Sequence, residues 1–151
     1  MNVTLMICDI DCDTDNVNPH KSLELGSYEY FNCYLSTISS LLEDGKWGNK
    51  FPILLESFDA KTKIDPEPVE GLLNELSIIK EELKNYPPSK INCGGYDTEE
   101  SNWMKEAPFD MNADNIYDYF LTLDESNLSE ALHDFANEAY EENMSLMYIF
   151  E

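Results

Sequence analysis

The chain has 151 residues, enough for one domain that buries roughly 70% of its unfolded surface without staples. Thirty-one Asp and Glu face nine Lys and no Arg, a net charge of -22, so phosphate backbones and anionic membranes are repelled. With 42% hydrophobic residues, disorder is not the default, and the missing Arg removes the usual bidentate clamp for phosphate or carboxylate substrates.

Val3 to Ile10 is a short apolar run with a β-branched residue at each end, suited to a buried strand. It leads into Asp9-Ile-Asp-Cys-Asp-Thr-Asp-Asn16, an acid-rich loop. Ser27 is a good N-cap, and Phe31, Leu35, Ile38 and Leu42 follow at helical spacing until Gly45 closes the helix. Phe51 to Leu55 is expected to be a second strand, edge-like because of Pro52. Asp65-Pro66-Glu67 opens a second helix bearing Leu72, Leu76, Ile79 and Leu83, which Tyr86-Pro87-Pro88 ends. Residues 91–112 lack periodicity and are expected to be a loop or insertion. Ile116 to Leu123 could open as a helical turn, but its alternation favours a strand. Ser126 or Asn127 caps a third helix carrying Leu128, Leu132, Phe135 and Ala139, with Asn143 as its stop, and Ser145 to Phe150 reads as a terminal strand.

The expected order is β-α-β-α-loop-β-α-β: a single α/β domain spanning 1–151, with about four strands and three main helices packed against one sheet. Strand order and oligomeric state stay open. The opening run is too short for a signal peptide, and no run approaches the ~20 apolar residues of a membrane span. The four cysteines (Cys8, Cys12, Cys33, Cys93) are accordingly expected as reduced thiols in a cytoplasmic protein.

Asp9, Asp11, Asp13 and Asp15 alternate directly after the first strand. A calcium loop would need Gly at position 6 and Glu at 12, and neither register supplies them. Cys8-Asp9-Ile10-Asp11-Cys12-Asp13 resembles the opening of haloacid-dehalogenase-type phosphatases until Asp13, which stands where that family has Thr or Val. The alternative it implies is a small metal-dependent phosphohydrolase using Asp9 and Asp11. No downstream Lys or paired acidic motif accompanies it, so the preferred reading is a solvated acidic loop capping the strand. Neither His20 nor His133 has finger spacing to a cysteine, and His133 reads as a partly exposed helical residue. Gly94-Gly95 lacks the Lys of a phosphate loop. No catalytic set, metal site or cofactor is expected.

What the sequence does supply is a charged field and aromatic side chains (nine Tyr, seven Phe, two Trp), the residue types that anchor interfaces. Tyr28, Tyr30, Trp47, Tyr96, Trp103, Tyr117 and Tyr119 sit among acids or in loops; alternatively their rings cover the core edge with the hydroxyl in water. The acid itself has two readings, a binding surface or mere solubility.

Four stretches carry a family likeness: Leu5-Met-Ile-Cys-Asp9; Leu25-Gly-Ser-Tyr28; Glu43-Asp-Gly-Lys-Trp-Gly-Asn-Lys-Phe-Pro52; and Phe120-Leu-Thr-Leu-Asp124 followed by a Leu-rich helix and an apolar final strand. With them the chain resembles the bacterial polymorphic-toxin immunity proteins, specifically the immunity protein 70 family. The resemblance implies a cytoplasmic, non-enzymatic antidote that binds and blocks a cognate toxin domain. Such a partner, a nuclease for instance, is expected to be basic. The likeness identifies no contact residues. On physical grounds alone the expected contacts are Asp9, Asp11, Asp13, Asp15, Trp47, Glu56 and Asp59.

Overall fold

The computed structural model describes residues 1–13, 19–94 and 102–151. Three strands form one antiparallel sheet in the order β2-β1-β3, with β1 at Asn2–Cys8, β2 at Lys21–Ser27 and β3 at Ser145–Phe150. Alternation decides its faces. Val3, Leu5 and Ile7 of β1, Leu25 of β2, and Leu146 and Tyr148 of β3 point into the main core. Cys8 and Met147 face the other way, in a small cluster with Cys12.

Helices cover the first face. α1 (Tyr28–Leu42) starts where expected, with Ser27 Oγ accepting the Tyr30 N–H at 3.1 Å. α3 (Pro66–Glu82) runs on through a 3-10 turn at Leu83–Asn85, and α6 (Leu128–Glu141) is capped by Asn127, whose side chain accepts the Glu130 N–H. Of the anticipated apolar positions, Phe31, Leu35, Ile38, Leu72, Leu76, Ile79, Leu83, Leu128, Leu132, Phe135 and Ala139 are buried, and Leu42 at the end of its stripe is half-buried. Asn143 does stop α6, at φ +55°.

Four expectations are corrected. The segment from Phe51 is a helix, α2 (Pro52–Ala60), with Pro52 in its first turn. Pro lacks only an N–H that has no partner at that position, so it starts a helix as readily as it interrupts a strand. Ile116 to Leu123 begins as a helical turn, α5 (Ile116–Tyr119), because the Asn115 side chain accepts the Asp118 N–H at 2.8 Å. The chain then extends through two isolated bridges, Phe109 with Phe120 and Leu121 with Asn127, outside the sheet. Conversely, Lys21–Ser27 is a strand that the sequence reading passed over. Its Leu23 and Leu25 alternate with Ser22 and Glu24, the one signal that marks it. Among the described residues the sheet thus has three strands, not four. The segment 91–112 also contains a short helix, α4 (Asn102–Glu106).

The fourth correction concerns the cysteines. Cys8 pairs with Cys12 across a turn, and Cys33 on the inward side of α1 pairs with Cys93. No helix among the described residues is long and apolar enough to cross a membrane.

Candidate partner-binding surface

The acidic loop leaves β1 through a turn closed by the Cys12 N–H to the Asp9 carbonyl at 3.0 Å. Asp9, Asp11 and Asp13 are all exposed. Asp9 meets His20 Nε2 at 3.1 Å, across the base of the loop. Lys63 reaches in from the α2–α3 connection, donating to the carbonyls of Ile10 and Cys12 and lying 3.6 Å from Asp65. Its ammonium thus fixes the loop through main-chain oxygens, so the turn is held while Asp9 and Asp11 face solvent. Asp15 lies outside the described residues.

The other expected contacts belong to the segment that precedes and forms α2. A buried carboxylate organises it: Glu43 accepts the N–H groups of Gly48 at 3.1 Å, Lys50 at 2.7 Å and Phe51 at 2.7 Å. The loop it gathers carries Trp47, 37% exposed, beside a cavity of about 210 Å³ lined by Ser36, Ser39, Ser40 and Asn92. The Ser39 hydroxyl there is buried and has no hydrogen-bond partner among the described residues. Glu56 and Asp59 lie on the exposed side of α2. Gly48, at φ +78°, allows the loop to lie against Glu56, since a Cβ there would meet Glu56 Cγ at 3.1 Å. Lys63 and Glu56 line one shallow depression, which also includes Pro52, Ala60 and Pro68. The structure therefore connects the acidic loop to the α2 face through Lys63, and Trp47 to that face through Gly48.

Glu75 is the residue that sequence reasoning missed. From α3 its carboxylate accepts the Ile53 N–H at 3.1 Å and the Leu54 N–H at 2.9 Å, so α3 caps the N-terminus of α2. Burial pushes its pKa above the ordinary glutamate value; the Leu54 and Ile53 N–H groups pull it down, and Glu43 and Glu56 add repulsion. A Glu within an apolar helical stripe was the available signal.

Most of the aromatic supply is spent inside. Tyr30 and Tyr34 are buried, and burial drives both phenols far above their usual pKa. Tyr30 Oη donates to the Leu121 carbonyl at 2.7 Å and accepts its N–H at 2.8 Å, while Tyr34 meets Ser129 at 2.8 Å. Phe31, Phe58 and Tyr148 pack edge-on or tilted at 5.3–6.1 Å. Tyr28, Trp103, Tyr117 and Tyr119 are half-buried around that core, and Tyr96 lies outside the described residues. His133 is half-buried on α6, 3.2 Å from Ser77 Oγ.

The phosphohydrolase reading required a longer doubly wound domain. The sheet here has three strands, all antiparallel, so the resemblance at Asp9 and Asp11 does not extend to the fold.

The chain belongs to the Immunity protein 70 family, whose model matches residues 6–148, nearly the whole chain. That family indicates an immunity protein of toxin systems. Neither curated proteins nor solved structures give a significant match.

Proposed function

We propose that this chain neutralises a cognate toxin domain by stoichiometric protein contact, covering a basic working surface such as the substrate cleft of a nuclease. The observation that carries the reading is family membership across residues 6–148. The charge distribution supports it: a net of -22 attracts a basic partner from a distance and speeds encounter. The contact set is the acidic loop with Asp9, Asp11, Asp13 and Asp15, together with Trp47, Glu56 and Asp59. In this reading the antidote acts in the cytoplasm, without catalysis and without a cofactor.

The test is to mix the purified chain with the toxin domain encoded beside it. Equimolar chain is expected to abolish toxin activity, and a toxin left fully active sinks the proposal. Replacing Asp9, Asp11 and Asp13 together by Asn should slow association and flatten its dependence on salt, read by stopped-flow mixing. An unchanged association rate would remove the loop from the interface.

A further inference from the structure

The two outer strands of the sheet are finished differently. The free side of β3 is taken by Ile64, which exchanges two main-chain hydrogen bonds of 2.8 Å with Leu146. The free side of β2 instead borders a groove of about 540 Å³, lined by Ser22, Leu23 and Glu24 of the strand and by Thr122, Leu123 and Asp124 opposite.

The ladder fixes where the β2 main-chain groups point. Asn2 of β1 exchanges both its bonds with Glu151, at 2.8 and 2.9 Å. Bonding alternates sides along the central strand of an antiparallel sheet, so Thr4 and Met6 bond to β3, while Val3 and Leu5 bond to β2. Leu23, opposite Leu5, spends its N–H and C=O on β1. Ser22 and Glu24 turn theirs outward along the groove, and both residues are exposed. Among the described residues, no main-chain group outside the sheet bonds to them. An open row of this kind is a template for one more strand.

We infer that an extended, basic segment of the toxin domain docks here as a fourth strand beside β2; this rests on the immunity reading above. The groove selects that occupant by its chemistry. Glu24 and Asp124 line it, and Leu123 stands 57% exposed on its wall. A Lys- or Arg-bearing strand with an apolar side chain against Leu123 complements both. A second copy of this chain does not, since it would bring Glu24 towards Glu24 and -22 against -22.

Site-resolved amide exchange on the chain, alone and with the neighbouring toxin domain, tests this. In the complex the Ser22 and Glu24 amides are expected to slow by about tenfold or more, with the Leu23 amide protected in both states. Ser22→Pro, which removes an outward N–H and leaves the bonds to β1, is expected to weaken the complex by about tenfold. Its melting temperature should stay near that of the parent. A tight, inhibited complex in which both amides exchange as in the free chain overturns the proposal and leaves the immunity reading intact. Protection of the same amides by self-association without toxin also overturns it, because the occupant is then a second copy. If no complex forms, the immunity reading falls and this inference with it. Should Ser22→Pro misfold, exchange in the unaltered chain decides.

Discussion

Glu75 sits on one helix and serves another, and its removal has a readable cost. Glu75→Ala leaves the Ile53 and Leu54 N–H groups without their acceptor, and about 1–3 kcal/mol of stability should be lost in urea unfolding. Its raised pKa sets the sign of a pH effect. A folded-state pKa above the unfolded one means that the native chain holds the proton more tightly. The contribution is then complete below the ordinary glutamate range and declines as pH rises through the raised value. Glu75→Gln, which does not ionise and keeps one accepting oxygen, should flatten that part of the stability profile and cost less than Ala. A profile that keeps its slope in the Gln variant would assign the effect elsewhere. None of this is legible around Phe51: no neighbour in sequence caps the helix, because the cap comes from 21 and 22 residues away.

At the scale of elements, what the sequence shows depends on whether a segment's partners are local. α1, α3 and α6 carry their own caps or starting Pro, and their apolar stripes bury as the spacing demands. β2 is short and polar, and becomes a strand only because β1 lies beside it. The turn from Thr122 to Ser126 is instead closed locally, by the Thr122 N–H to the Ser126 carbonyl at 2.8 Å and the Glu125 N–H to the Thr122 carbonyl at 3.0 Å. There Glu125 adopts φ +67°, a left-handed conformation that suits Gly. Glu125→Gly should therefore stabilise the fold by about 1 kcal/mol, seen as a higher melting temperature. A lower one would mean that the Glu125 side chain contributes more than its backbone strain costs.

For the whole molecule, charge acts in opposite directions on folding and on binding. Among the described residues, four Lys–carboxylate pairs, from Lys21, Lys63, Lys80 and Lys84, offset little of a -22 net charge. Between about 0.01 M and about 1 M salt the screening length falls from about 30 Å to about 3 Å. Self-repulsion then weakens, so the melting temperature of the free chain should climb, while its complex with a basic toxin should loosen. If both rose together, the interface would be apolar and the acid would only surround it. Both quantities come from one salt series of thermal melts and binding titrations.

By itself the sequence determined the acidic field, the three long helices, the first and last strands and the family likeness, each a property of composition or of spacing along one segment. Only the tertiary structure decided that Pro52–Ala60 is a helix, that Lys21–Ser27 pairs with β1, and that Cys33 meets Cys93. It also decided that Lys63 pins the acidic loop and that, among the described residues, β2 is an outer strand bordered by a groove. The reason is common to all of these. A strand's second edge, a helix cap supplied from another helix and a disulfide across 60 residues are pairings, and a pairing exists only once both members have been brought together.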